Sequence, residues 1–426
     1  MIKGAVARDG YKKTELGWIP EDWEVKRLGE LCAIDSENLS NNTSADYVFK
    51  YISLENIEQG LLKGFTQLSF KEAPSRARRI IQKNDVLLAT VRPNLLSHYF
   101  VKDEVTNWVC STGFSVLRSK NLWTNKFIFY HLFFKIIMKQ IESFITGSNY
   151  PAINSSDVKS LKIPLPLLPE QKKIAKILST WDEVIEKLNS YIEAKKKLKK
   201  ALMQKLLTGK QRFKEFVIRD SYKKTELGWI PEDWEVKRLR DVVDCQSGGT
   251  PSRASNELWN GSIPWMKIED MTKANKYLFK TSENITEEGL KASSARLFLQ
   301  ETVFLAMYAS VGKVCISKIP VTCNQAILGF YQSSSLDMEY LYYYLLFIEK
   351  LWQRNIQTGS QPNLNKNIVI GLQIFYPPLS EQKKIAEILS KADEEIDLLN
   401  QELEKLKTQK KGLMQKLLTG AWRVQL

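Results

Sequence analysis

A chain of 426 residues can bury more than one core, and 62 Lys+Arg against 48 Asp+Glu leave it at +14, a balance that favours a polyanionic partner such as nucleic acid. The opening MIKGAVARDGYKK lacks the apolar stretch of a secretory leader, and no run reaches the roughly 18 apolar residues of a membrane span, so a cytoplasmic location is expected. With 2 histidines and 5 cysteines that form no CxxC pair, a zinc site or a histidine-based triad is not expected, and the thiols read as reduced and packed.

The chain is a tandem duplication. YKKTELGWIPEDWEVKRL runs from Tyr11 to Leu28 and returns letter for letter from Tyr222 to Leu239, an offset of 211. LPEQKKIAKIL from Leu168 against LSEQKKIAEIL from Leu379, and LMQKLLTG from Leu202 and again from Leu413, keep that offset. Between these frames lie two inserts, 29–167 and 240–378, which share little beyond a hydrophobic outline. Identical frames around divergent inserts suit a protein whose two similar modules read two different things. The chain therefore divides into a first repeat segment (1–28), an insert domain (29–167), a central long helix (168–210), the second repeat segment (211–239), a second insert domain (240–378) and a C-terminal long helix (379–426). Trp18, Trp23, Trp229 and Trp234, repeated beside the frame, are expected in the core rather than stacked on bases.

The first insert reads as mixed α+β: strands over 85–91 and 113–119, a helix over about 124–145, then a turn at Thr146-Gly147-Ser148. The second repeats that order, with strands over 302–308, 312–317 and 326–332, a helix over about 337–356 and a turn at Thr358-Gly359-Ser360. Prolines 164, 166 and 169, and 377 and 378, hold the following lead-ins extended. Long helices are predicted from about Glu170 to Leu207 and from about Glu381 to Leu418, with Ser380 as an N-cap and Gly209 and Gly420 as stops. Each measures roughly 57 Å. Leu178, Trp181, Ile185, Leu188, Ile192, Leu202 and Leu206 step by threes and fours, missing Lys195 and Lys199. Leu389, Ala392, Ile396, Leu399, Leu403, Leu406, Leu413 and Leu417 do the same, missing only Lys410. Such seams belong to a coiled coil, and each helix is the natural partner of the other. Antiparallel pairing would relate the inserts by a pseudo-two-fold; parallel pairing is not excluded by sequence.

With GWIPEDWEVKRL before each insert, PLLPEQKKIAKIL and PPLSEQKKIAEIL after them and LMQKLLTG closing each half, the whole chain resembles the specificity (HsdS) subunits of type I restriction–modification systems. The resemblance implies two α/β target recognition domains, each reading half of a bipartite DNA target, separated by an antiparallel helix pair that sets the gap. It also implies two modification subunits docked on the helices and restriction subunits in the full complex. S-adenosylmethionine, ATP and Mg²⁺ would then belong to those partners, and this chain would not be an enzyme.

Candidate DNA contacts in the first insert are Arg92 and Asn94, whose side chains suit base edges, and the basic run Arg76, Arg78 and Arg79, better suited to phosphates. In the second insert they are Ser310, Lys313, Asn324 and Gln325. The recurring turns add Ser148, Asn149 and Tyr150, and Ser360 and Gln361, as positioning groups. The rivals are a coiled-coil scaffold without sequence preference, or a DNA methyltransferase or nuclease. Tyr376-Pro377-Pro378-Leu379 lacks the leading amide or acid of a methyltransferase motif. Glu24-Val25-Lys26 and Glu235-Val236-Lys237 read as ordinary surface pairs, and Ser310–Val314 lacks the glycine and hydroxyl of a phosphate loop.

Overall fold

The computed structural model describes residues 9–145, 151–219, 221–349 and 364–425. They form two compact units, one made of residues 1–189 with 401–426, the other of residues 190–400. Each unit contains one repeat segment, one insert and a portion of both long helices.

The repeat segment folds identically in both. Tyr11–Thr14 and Gly17–Pro20 form an antiparallel hairpin, matched by Tyr222–Thr225 and Gly228–Pro231. Glu24–Arg27 then pairs with the proline lead-in Lys162–Leu165, and Glu235–Arg238 with Gln373–Tyr376. The chain entering each insert is thus zipped to the chain leaving it. An insert held at such a neck can change without disturbing its frame.

In the first insert one sheet runs Tyr99–Phe100, Val86–Ala89, Phe114–Arg118, Ala33–Ile34. The other runs Thr66–Ser69, Val48–Ile52, Trp108–Ser111, Ala77–Ile80, its central pair parallel. The second insert has five- and three-stranded sheets, each with one parallel pair, Tyr277–Leu278 with Val314–Ser317 and Trp259–Met266 with Thr322–Cys323. The central strands Val86–Ala89 and Val303–Ala306 are buried at every residue, which accounts for their unbroken apolar runs. The expected single helix of the first insert is two, Leu122–His131 and Lys135–Phe144. The break falls where Phe133 turns its ring onto buried His98, 5.4 Å away, and Phe134 adopts extended backbone. In the second insert Met338–Phe347 is helical, with Asp337 as its N-cap. Both Thr-Gly-Ser turns, and the predicted helix beyond residue 349, lie outside the described residues.

The long helices run Leu168–Leu207 and Leu379–Leu418, 40 residues each. They begin earlier than predicted, so Ser380 sits inside the first turn and is not the cap. The side chains of Gln171 and Gln382 instead fold back onto the carbonyls of Pro166 and Pro377, at 2.8 and 2.9 Å. Within each unit the helices pair antiparallel: Asp182 meets Lys410 in one, Lys195 meets Glu395 and Lys199 meets Asp393 in the other. The parallel alternative is thereby excluded. Leu178, Ile192, Leu389, Ile396 and Leu403 are buried, and Trp181, Ile185, Leu188, Ala392 and Leu399 half-buried, as a seam requires. Lysines at the gaps in that seam find acidic partners on the other helix.

Each helix ends in a clamp built from repeat residues. In the second unit Arg212 binds Glu381 through two nitrogens (2.9 and 2.7 Å) and Asp233 through two (2.7 and 2.8 Å), while Trp234 Nε1 donates to Glu381 at 2.9 Å. In the first unit Arg423 binds Glu170 and Asp22, and Trp23 donates to Glu170 at 3.0 Å. The two clamps are the same object, but the arginine of the first comes from the far end of the chain. Gly209 and Gly420 stop the helices with φ of +68° and +69°, and a Cβ on either would strike Pro231 or Pro20. Trp23 and Trp234 are fully buried. Trp18 is half-buried and Trp229 is 63% exposed, so the core placement expected for all four holds only for the first pair.

Candidate nucleic-acid interface

The strand Val86–Ala89 delivers its chain into a loop, Thr90–Leu96, whose Arg92 and Leu96 both have positive φ (48° and 55°). Non-glycine residues in that region are strained, and such strain persists only where the surroundings enforce it. Two bonds supply the enforcement: Arg92 N donates to Pro151 O (2.9 Å) and Ile153 N to Thr90 O (3.0 Å). The loop bearing Arg92 and Asn94 therefore lies beside the chain that follows residues 146–150. Arg92, Asn94 and Leu95 are exposed.

The second insert builds the same rim with different side chains. Leu364 N donates to Met307 O at 2.9 Å, and Met307 N to Ala326 O at 2.8 Å. This brings the loop of Ser310 and Lys313 together with Asn324 and Gln325 and with the chain after residue 363. Ala309 has φ 58° and Gly312 φ 87°, and Gly312 N and Lys313 N are spent on Ala306 O and Ser310 O. The turn has its amides turned inward and is no phosphate cradle.

Sequence reasoning missed three contributors. Thr112 is exposed at the position that Gln325 occupies in the other insert; its N–H is held by Arg76 O at 2.8 Å. Thr250 Oγ1 donates to Gln325 Oε1 at 2.6 Å. Gly248 makes that possible: a Cβ there would lie 2.0 Å from Cys323 O, so only glycine lets the chain approach. The third, Arg253, stacks 3.7 Å from the Trp259 ring centre and pairs with Glu283 at 2.6 Å. The signal for the first two was the strand pairing shared by the inserts, which becomes visible only in three dimensions.

The basic run is not one patch. Arg76 is exposed, but Arg78 lies over the Phe70 ring at 4.8 Å. Arg79 is mostly buried and bound to Asp35 at 2.6 Å. On a strand, alternate residues face opposite sides, and here Asp35 claims the inward guanidinium. Ser148, Asn149, Tyr150, Ser360 and Gln361 lie outside the described residues.

The catalytic alternatives find other employment. Glu24–Lys26 and Glu235–Lys237 are surface ion pairs, each 2.9 Å. Pro378 O accepts from Glu381 and Gln382 at the start of a long helix. All five cysteines are buried thiols; burial pushes those of Cys32 and Cys315 up to about 12, which leaves them unreactive. Among the described residues no group of His, Cys, Asp or Glu could hold a metal ion, and no helix is long and apolar enough to cross a membrane.

Residues 20–196 and 231–408 each match the family described as type I restriction modification DNA specificity domain. The chain belongs to this family. Among its curated relatives is the MjaVIII specificity subunit of Methanocaldococcus jannaschii, 29% identical over 95% of this chain and 94% of that protein. The HindI specificity subunit of Haemophilus influenzae is 23% identical over 87% and 94%. A solved chain from a study of type I restriction–modification complex assembly superposes with a TM-score of 0.58 at 22% identity, covering 95% of this chain and 99% of that one. The type I S subunit of M. genitalium gives 0.55 at 18%, covering 93% and 96%. The two-insert, two-long-helix architecture is thus a family fold.

If the rims face DNA, their arginines differ in effect. Arg92→Ala should cost about 1–3 kcal/mol at a cognate half-site and relax selectivity there, whereas Arg76→Ala should weaken all sequences alike and lower the salt slope by about 1. Binding titrations at several salt concentrations distinguish them; identical behaviour of the two variants would reject the division.

Proposed function

We propose that this chain is the DNA specificity subunit of a type I restriction–modification complex, each insert reading one half of an asymmetric bipartite target. One observation carries this: the same rim, with the same backbone pairing, holds Arg92, Asn94 and Thr112 in one insert and Ser310, Lys313 and Gln325 in the other. Equal scaffolds with unequal polar side chains read unequal half-sites. The helix pair sets the gap between them, and because DNA repeats every 10–10.5 bp only certain gaps present both half-sites to the two rims. Two modification subunits dock on the paired long helices, and restriction subunits complete the assembly in the cytoplasm. Methyl transfer and cleavage, with S-adenosylmethionine, ATP and Mg²⁺, belong to those partners.

A base-resolution methylation map, from cells expressing this chain with its modification subunit, tests the reading. A bipartite asymmetric motif dependent on this chain is expected, and an assembled complex that adds no motif would reject it. Inserting four residues, about one helical turn, into Leu168–Leu207 should change the gap and leave both half-sites intact. Altered half-sites at an unchanged gap would remove the ruler from the proposal.

A further inference from the structure

Two of the lysines that interrupt the seams are equivalent, Lys199 and Lys410, 211 apart like the Asp182 and Asp393 they meet. In the first unit Lys410 pairs with one oxygen of Asp182, and Tyr130 Oη donates to the other at 2.8 Å. The lysine nitrogen also lies 5.4 Å from the Tyr130 ring centre. In the second unit Lys199 pairs with one oxygen of Asp393, Tyr343 Oη donates to the other at 2.7 Å, and the lysine is again 5.4 Å from the ring.

The lysine and aspartate come from the helix pair, whereas each tyrosine comes from a divergent insert. Two inserts that differ nearly everywhere still send a hydroxyl to the same carboxylate. A second repeated bond accompanies it. Thr124 Oγ1 donates to Gln171 Oε1 at 2.8 Å, and Asp337 N donates to Gln382 Oε1 at 2.9 Å. Along the long helix these points stand eleven residues apart, about 16 Å. Each insert helix is therefore fastened at two separated points by directional bonds. Apolar packing alone is non-directional and resists rocking or rotation poorly.

The joints differ in reinforcement. In the second unit Lys276 Nζ adds bonds to Glu339 (3.1 Å), Tyr343 Oη (3.1 Å) and Ser390, and Ser390 Oγ donates to Glu339 at 2.6 Å. In the first unit the addition is Lys102–Glu186 at 2.9 Å, both side chains about half-exposed, where water weakens it.

We propose that Asp182 and Asp393 are positioning residues that fix the angle of each insert on the helix pair and so make the complex selective for one gap length. This rests on the reading above, in which each insert takes one half-site. The rims, which choose the bases, are separate from the joints.

The test uses Tyr130→Phe and Tyr343→Phe, each removing one hydroxyl, in complex with the modification subunit. Methylation is measured on duplexes carrying the two half-sites at the native gap and at one base pair more or less. Tyr130→Phe should raise off-gap methylation relative to native-gap by about fivefold, the loss of one typical hydrogen bond, and Tyr343→Phe by less, since Lys276 still holds its joint. Half-site preference should not move. Spin labels at the exposed residues Lys120 and Lys187 of the first unit supply a readout without DNA: their distance distribution should broaden in Tyr130→Phe. Unchanged gap selectivity, or an unchanged distance distribution, overturns the proposal even if stability falls. A wild-type complex with no gap preference instead sinks the functional reading, and the label distances alone then decide whether the joint positions the insert.

Discussion

Arg212→Ala is expected to destabilise the second unit by about 3–5 kcal/mol, the usual cost of removing one partner from a buried ion pair. The guanidinium is 5% exposed and Glu381 1%, so the variant strands a carboxylate that water cannot reach, with only the Trp234 indole left to it. Arg423→Ala also leaves a buried carboxylate, Glu170 at 3% exposed, but the Arg423 side chain is 44% exposed, so water enters the space it vacates. Water replaces part of what is lost, and about 1–2 kcal/mol is expected. Denaturant unfolding followed by hydrogen exchange, resolved over Val86–Ala89 and Val303–Ala306, separates the units. Equal losses in the two variants, or a loss under about 0.5 kcal/mol for Arg212→Ala, would show that the clamp does not hold its helix end.

The second large effect is acid lability confined to one unit. Both histidines lie in the first unit and both are fully buried, so burial pushes His98 down to about 3 and His131 down to about 4. In the unfolded chain they titrate near 6.5. Between those values the unfolded state holds the extra proton, so stability rises with pH across the window and is lost as pH falls from about 6.5 towards 4. At pH 4.5 each histidine should remove about 2–3 kcal/mol, at roughly 1.4 kcal/mol per pH unit. The second unit has no histidine and escapes this loss. Exchange at pH 4.5, corrected for intrinsic rate, should therefore open Val86–Ala89 before Val303–Ala306, and His131→Leu should flatten the slope by about half. Simultaneous opening of both strands would contradict it.

Much of the architecture was legible in the letters. The exact repeats announced the frames, and steps of three and four announced the helix seam, because a long helix must hide one face. The break at Phe133 was not legible: the run Phe127–Ile137, interrupted only by His131 and Lys135, carries no glycine or proline to mark a stop, and the contact of Phe133 with His98 exists only in the fold. The rim was half legible. Arg92 and Asn94 stand at a strand end where sequence reasoning looks for readers, but Arg79 looks no different from Arg76 until Asp35 is seen beneath it. Thr112 and Thr250 carry no signal in a single chain; their partners, Arg76 O and Gln325 Oε1, come beside them only when neighbouring strands pair.

The clamp of the first unit joins residues near the two termini, Asp22 with Arg423, just as that of the second joins Asp233 with Arg212 along continuous chain. Tyr11 Oη likewise reaches Gly420 O at 2.8 Å, where Tyr222 reaches Gly209 O at 3.3 Å. The junction between the two ends of the chain in the first unit is thus built like the continuous junction in the second. A gene that moved its start codon to the stretch around residues 217–221, with the old ends spliced, would encode the same molecule in a different order.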